Sequence, residues 1–125
     1  MLFTMAEHNE LGKTGEQLAA EFLTQKGYAI LAQGWRSSYL ELDIVATFNN
    51  LLVIIEVKTR SNIFHGHPDD TISNKKLRQL YEAADRFIEQ KQISLEVRYD
   101  LITIFKDENH FKIEHLENAF YPFMN

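Results

Sequence analysis

The alternation of apolar and polar positions predicts the element order helix, three strands, helix, two strands. The first helix is predicted from Asn9, as its N-cap, to Lys26, with Gly27 as the stop. Strands are predicted over residues 28–35, within 41–58, and over 95–105 and 110–116. The second helix should follow a cap at Ser73 or Thr71, with an apolar stripe formed by Leu77, Leu80, Tyr81, Ala84, Phe87 and Ile88. This order predicts an α/β fold with a central mixed sheet flanked by helices.

The stretch ELDIVATFNNLLVIIEVK predicts two strands joined by a tight turn at its asparagine pair, because Asn tolerates positive φ. Counting outward from the turn places Asp43 opposite Glu56 and Glu41 opposite Lys58. Near the turn both faces are apolar, which predicts strands covered by helices on both sides. The residues assigned to one face are Leu42, Ile44, Ala46, Val53 and Ile55, and those assigned to the other are Val45, Leu52 and Ile54.

An irregular segment is predicted from Thr59 to Asp70, since Gly66 and Pro68 interrupt any regular element there. It leaves the sheet directly after Lys58, so it could fold over whatever the charged residues bind. The tail after Asn118 is aromatic and is expected to pack against the domain.

Composition restricts the class of protein. The 125 residues suit a single domain over residues 1–125. There are no cysteines, which excludes disulfides and thiolate metal sites, and no signal peptide or membrane-spanning run is apparent, so a cytoplasmic location is expected. The net charge of -5 argues against a general polyanion binder, so any nucleic-acid contact must come from a local basic patch.

The facing carboxylates of Asp43 and Glu56 carry the candidate chemistry. On an otherwise apolar face, such a pair is costly unless a positive charge neutralises it. Mg²⁺ is commonly held by one or two carboxylates, and the Val57 carbonyl could add a ligand. Lys58, on the same face as Glu56, could orient a water or stabilise phosphate charge. The residues alone leave open metal-dependent phosphodiester chemistry, an ordinary solvated strand end and unrelated functions.

For several other polar residues the pattern allows a structural role beside a functional one. Glu16 lies on or beside the packed face of the first helix, and the pattern alone favours a side chain that reaches out to water. A basic group could contact phosphates or simply form a solvated helix end: Arg60, Lys75, Lys76 and Arg78. His65 and His67 lack a third ligand nearby, so a zinc site is disfavoured. Asp100 is expected to be structural and to hold Arg98 or a loop, and Trp35 and Tyr39 to be core or edge residues.

Five segments resemble the YraN-like family of small bacterial proteins. They are HNELGKTGEQLAAEFLTQKGYAIL, ELDIVA, LVIIEVKTR, RYDLITI and ENAF, and they appear in the family's order along nearly the whole chain. That family is similar in fold to the archaeal Holliday junction resolvases and to the wider PD-(D/E)XK nuclease superfamily. The resemblance therefore implies a restriction-endonuclease-like core in αβββαββ order.

The resemblance also implies roles for individual residues. The metal-binding aspartate of the superfamily matches Asp43, its E-x-K motif matches Glu56 and Lys58, and the helix-borne glutamate of the resolvase branch matches Glu16. This changes the expectation for Glu16 to a metal-site or water-mediated role. The chain departs from the family pattern at Leu40, where a glycine is usual, which puts in doubt how closely a phosphate can approach there.

Two functional hypotheses follow. The first is a Mg²⁺- or Mn²⁺-dependent endonuclease acting on DNA, branched or structured DNA included. By analogy with junction-cleaving relatives it would act as a homodimer, because two symmetric cuts need two sites. The alternative is a nucleic-acid-binding or adaptor protein that keeps the nuclease fold without cleaving, and the net negative charge favours it.

Overall fold

A computed structural model describes residues 2–4, 14–61 and 72–122. The described elements, in chain order, are β1 (Leu2–Thr4), α1 (Gly15–Gln25), β2 (Ala29–Ser37), β3 (Leu40–Phe48), β4 (Leu51–Arg60), α2 (Asn74–Lys91), β5 (Glu96–Lys106) and β6 (His110–Phe120).

All described strands belong to one sheet in the order β1-β6-β5-β4-β3-β2. Only the β4–β5 pair is parallel, and the helix α2 lies between these two strands in the chain, as a parallel connection requires. The sheet is therefore mixed and flanked by helices, and the predicted αβββαββ order is confirmed. The short strand β1, which the pattern did not predict, adds to this order at the sheet edge beside β6.

The hairpin β3–β4 has the predicted register. Asn49 and Asn50 both adopt positive φ, 50° and 62°, which is the backbone of a two-residue turn matched to the twist of its strands. Pairing runs from Phe48 opposite Leu51 to Ile44 opposite Ile55. The ladder ends there, so Asp43, Glu56 and the residues beyond are positioned by other contacts.

Each helix begins at a capping residue. Helix α1 starts at Gly15 rather than in the turn after Asn9, because Thr14 forms a capping box: its hydroxyl accepts from the Gln17 amide, and the Gln17 side chain accepts from the Thr14 amide. Asn9 itself lies outside the described residues. The predicted stop at Gly27 is confirmed by its φ of 96°. Ser73 caps α2, as predicted, and its Oγ accepts from the Lys76 amide at 3.1 Å.

Neither helix of the described chain is long and apolar enough to cross a membrane.

Two apolar layers cover the sheet, one under each helix. Helix α1 contributes Leu18, Ala19, Ala20 and Leu23 to a layer that includes Ile44, Ala46, Val53 and Ile55. Helix α2 contributes Leu80, Ala83, Ala84 and Phe87 to a layer that includes Leu40, Leu42, Val45, Leu52 and Ile54. The strands of the hairpin are thus buried on both faces, as their composition predicted.

The prediction for Leu42 was wrong: it packs under α2 with Val45, whereas Ile44 packs under α1. The alternation of faces is interrupted at Asp43. Gly34 lies opposite Asp43 on the neighbouring strand β2, since Gln33 pairs with Ile44 and Trp35 pairs with Leu42. The backbone of Gly34 is left-handed, with a φ of 59°. A left-handed residue within a strand changes the direction of the chain locally, so the residues on either side of it no longer alternate regularly.

Two predicted boundaries also change. Strand β4 runs through Thr59 and Arg60, which pair with Ile104 and Phe105, because the parallel neighbour β5 supplies ladder partners beyond Lys58. The remainder of the predicted loop, with His65 and His67, lies outside the described residues. Strand β6 extends to Phe120, whose ring packs against the α2 layer as expected of the tail, whereas Tyr121 is exposed and Phe123 lies outside the described residues.

Candidate active site

Asp43 lies where the β3–β4 ladder ends. Here a side-chain hydrogen bond replaces the backbone hydrogen bonds of the ladder: the Val57 amide donates to Asp43 Oδ2 at 2.9 Å. This bond ties the side chain of β3 to the backbone of β4 and fixes the orientation of the carboxylate. The prediction that Asp43 and Glu56 come together is met, although a side-chain bond rather than the ladder completes the arrangement.

Glu56 is a buried acid, with 7% of its surface exposed. Burial, followed by the charge of Asp43, raises the pKa of its carboxyl to about 7 from an ordinary value of 4.5. Its Oε1 atom is buried and has no hydrogen-bond partner among the described residues. A buried carboxylate oxygen without a partner costs free energy, so this position is poor for stability and suited to binding a positive group.

Lys76, in the first turn of α2, reaches the same carboxylate. Its Nζ lies 3.6 Å from Glu56 Oε2. The sequence singled out this lysine as a phosphate contact and gave no sign that it would pair with Glu56. That pairing depends on where the crossover helix begins relative to the end of β4, which local sequence does not specify.

Glu16 reaches the site from the second residue of α1. Burial raises the pKa of its carboxyl, and the charges of Asp43 and Glu41 add to the effect, while a hydrogen bond from the Gly34 backbone opposes it. An added Cβ at Gly34 would lie 3.6 Å from Glu16 Oε1, so the two residues are close neighbours. The side chain of Glu16 therefore belongs with Asp43 and is not a solvated flank residue.

The packing of α1 on β4 places Glu16 there. Gly15 faces Thr59, and a Cβ added at Gly15 would collide with the Thr59 hydroxyl oxygen. A glycine at this position lets the start of the helix approach the strand closely. Thr59, the residue after Lys58, thus contacts the start of α1.

Glu41 differs from its predicted pairing. Its carboxylate forms an ion pair with Arg36 of β2 at 2.7 Å, and the two residues are cross-strand partners. The β3–β4 ladder does not extend to Glu41 and Lys58. Because β2 rather than β4 is hydrogen-bonded to this end of β3, the charge of Glu41 is turned toward β2.

Lys58 keeps its predicted relation to Glu56. Pairing of β4 with β5 is continuous from Leu51 to Arg60, so no bulge separates the two residues and they share a face.

Leu40, the departure from the family pattern, is 1% exposed and packs in the α2 layer. Its side chain is therefore a core residue and does not obstruct the carboxylates.

The fit of a divalent cation can be judged from the acids themselves. Within residues 14–61 and 72–122, no three His, Asp or Glu side chains stand close enough to hold one ion. The paired carboxylates of Asp43 and Glu56, one of which has a bare buried oxygen, do match the one or two carboxylates by which Mg²⁺ is commonly held. The residues therefore fit a cation whose remaining ligands are water and phosphate oxygens.

The other members of the basic group lie nearby in the chain but differ in setting. Lys75 and Arg78 are exposed on α2 near its start, and Arg60, at the end of β4, is partly buried. Trp35 packs edge-on against Phe87 at 5.3 Å and is a partly buried residue at the edge of the α2 layer.

A second polar cluster surrounds Asp100, which is fully buried. Arg98 donates to both carboxylate oxygens at 2.9 and 2.8 Å, and His115 Nε2 lies 2.7 Å from Oδ2. The Asn118 amide donates to Oδ1 at 2.9 Å. Asp100 thus has the structural role expected of it, holding Arg98 and the end of β6. The contribution of His115 was not anticipated.

Comparisons with known proteins agree with the resemblance seen in the sequence. The model of the uncharacterised protein family UPF0102 matches residues 15–104. A UPF0102 protein of Flavobacterium psychrophilum is 48% identical over 95% of this chain and all of its own length. UPF0102 proteins of Phocaeicola vulgatus and Bacteroides thetaiotaomicron are 47% and 46% identical, each over 94% of this chain and 98% of their own length.

Proposed function

The chain belongs to the UPF0102 family, and from that premise and the carboxylate site we propose that it is a metal-dependent endonuclease. Its substrate class would be DNA, with branched or structured DNA as the first candidate. The cofactor would be Mg²⁺ or Mn²⁺. A homodimer is proposed with it, because two symmetric cuts in a junction need two sites.

The observation that supports this proposal most is the state of Glu56. A buried acid with a bare oxygen, set beside a second acid, is retained at a cost in stability. Asp100, in the same sheet, shows that this fold can surround a buried acid with donors when stability is the only requirement. Among the described residues the Oε1 atom of Glu56 has no such donor, and a cation bound there would supply the missing partner.

The residues of the chain have distinct parts in the proposed reaction. Asp43 and Glu56, with the Val57 carbonyl, would hold the cation, and Glu16 would contact it through a water. The cation would supply Lewis-acid stabilisation of phosphate charge and a more acidic water. Lys58, on the face of Glu56, would orient the attacking water or stabilise the phosphate oxygens. Further along the chain, contacts to the DNA backbone are assigned to Arg60, Lys75, Lys76 and Arg78.

The test is a cleavage assay on three DNA forms of equal length: a linear duplex, a single strand and a four-way junction. Each is incubated with Mg²⁺, with Mn²⁺ or with a chelator. We expect cleavage that requires the metal and is reduced at least about a hundredfold by Lys58→Met, since a loss of one electrostatic group in such sites costs that order of rate. Lys91→Met, which removes a lysine from the exposed far end of α2, serves as the matched control.

Cleavage in the presence of chelator, or equal rates for the wild type and Lys58→Met, would refute this assignment. Light scattering of the purified protein tests the homodimer separately.

A non-cleaving nucleic-acid-binding protein is the second candidate, favoured by the lack of a three-ligand group among the described acids. Binding of junction DNA that is unchanged by metal and unaffected by Asp43→Asn, without cleavage under any condition, would support this alternative. Substitution of Lys75 and Arg78 would then weaken binding uniformly across DNA sequences.

A further inference from the structure

The ion pair between Lys76 and Glu56 has two very unequal partners. The Glu56 side chain is 9% exposed, whereas that of Lys76 is 42% exposed. Glu56 is held in the sheet between β3 and β5, while Lys76 reaches it from the surface of α2 on four rotatable bonds. The lysine can therefore leave the pair for water at little cost, and the glutamate cannot follow it.

The geometry of the pair agrees with a loose association. The distance of 3.6 Å from Lys76 Nζ to Glu56 Oε2 exceeds the 2.7–2.9 Å typical of a charge-assisted hydrogen bond. The pair also leaves the second oxygen, Oε1, without a partner among the described residues. Lys76 neutralises the carboxylate by its charge and does not satisfy it by hydrogen bonding.

The position of Lys76 is otherwise unfavourable. The first turn of α2 contains no acid, and the positive end of the helix dipole disfavours a lysine there. Attraction to the carboxylate of Glu56 offsets that penalty. A divalent cation next to Glu56 would therefore repel Lys76 and cancel the attraction that holds the lysine at this carboxylate.

We propose that Lys76 is a displaceable counter-ion of Glu56, which balances the buried carboxylate in the metal-free protein and gives way when a divalent cation binds beside Asp43. This inference rests on the proposed function. Lys76 is then a positioning residue that acts through Glu56. Its release on cation binding frees a positive charge at the start of α2, where Lys75 and Arg78 also lie, so that the cation and the DNA backbone are bound in a coupled manner.

The experiment measures Mn²⁺ binding to the DNA-free protein at pH 8 by the paramagnetic resonance signal of free Mn²⁺. The variants are Lys76→Gln, the charge-conserving Lys76→Arg, and Lys91→Gln as the control for loss of a lysine elsewhere on α2. We expect Lys76→Gln to tighten Mn²⁺ binding about three- to tenfold, because a competing charge is removed. Lys76→Arg and Lys91→Gln should stay within about twofold of the wild type.

Thermal melting supplies an independent measure of the pair. Without metal, Lys76→Gln should melt below the wild type, and this difference should be absent when Glu56 is already replaced by Gln. With saturating Mn²⁺ the difference between Lys76→Gln and the wild type should disappear or reverse, since the cation then balances Glu56.

The possible failures are distinguishable. Weaker or unchanged Mn²⁺ binding by Lys76→Gln, or equal tightening by Lys91→Gln, overturns the displacement while leaving the proposed nuclease intact. Mn²⁺ binding that tightens as expected in a protein that cleaves no DNA supports the displacement and refutes the nuclease. No Mn²⁺ binding by the DNA-free wild type at millimolar concentration overturns the displacement, and the cleavage assay then decides the nuclease separately.

Discussion

At the scale of single residues, Asp100 and Glu56 are two buried carboxylates with opposite surroundings. Burial alone would raise the pKa of Asp100, but hydrogen bonds from His115 and Arg98 and from the Asn118 amide outweigh it and lower the pKa. Glu56 lacks comparable donors, and its pKa is raised. The first residue is arranged for stability, and the second departs from that arrangement in the way functional residues do.

The raised pKa of Glu56 predicts a pH dependence of stability. The folded state keeps the proton of Glu56 at pH values where the unfolded state has lost it, so stability falls as pH rises from about 4.5 to about 7. In metal-free buffer, Glu56→Gln should melt at the temperature of the wild type near pH 4.5 and several degrees higher at pH 8. The difference corresponds to roughly 3 kcal/mol. A difference that is independent of pH would contradict the assignment.

The network around Asp100 predicts that the protein loses stability when this carboxylate loses its charge, the opposite of the effect predicted for Glu56. Asp100→Asn should lower the free energy of unfolding by about 3–5 kcal/mol at pH 7, because Arg98 is left as a largely buried charge without its bidentate partner. Urea unfolding measures this loss, with Glu89→Gln on the exposed surface of α2 as the control. The lowered pKa of Asp100 means that the wild type should lose this stability only under strongly acidic conditions. A loss below 1 kcal/mol would show that the network is not structural.

At the scale of elements, the hairpin was predictable because its two signals agree. The asparagine pair specifies the turn, and the apolar runs on either side specify the strands, so counting from Asn49 and Asn50 gave the observed register. The break in β3 at Asp43 was not predictable. It lies beside Gly34 of the neighbouring strand β2, and a strand pattern does not reveal whether such a glycine adopts a left-handed backbone. The face of Leu42 depended on that break.

The turn itself gives a prediction at this scale. Asn50→Gly should raise the free energy of unfolding by about 0.5–1 kcal/mol, because glycine adopts the observed positive φ without steric cost. Asn50→Ala should lower it by about 1–2 kcal/mol for the converse reason. Equilibrium unfolding in urea measures both. Equal stability of the two variants would mean that the turn does not adopt the left-handed conformation in solution.

At the scale of the whole molecule, the site forms where four elements meet at one end of the sheet. Strand β3 brings Asp43, strand β4 brings Glu56 and Lys58, the start of α1 brings Glu16, and the crossover helix α2 brings Lys76. The acids could be assigned from the sequence, partly through the hairpin and partly through the family resemblance. The contact of Lys76 could not, since it depends on the parallel placement of β4 and β5 and on where α2 begins.

The most direct test of the central claim compares single-turnover cleavage of the preferred DNA by the wild type, Asp43→Asn and the surface control Glu89→Gln, with Mn²⁺ and with chelator. Asp43→Asn keeps the shape of the side chain but removes the charge that a cation needs. The account predicts cleavage only with Mn²⁺, a rate for Glu89→Gln close to that of the wild type, and a loss of at least about a hundredfold for Asp43→Asn. Equal rates for Asp43→Asn and the wild type, or no cleavage by any of the three proteins, would contradict it.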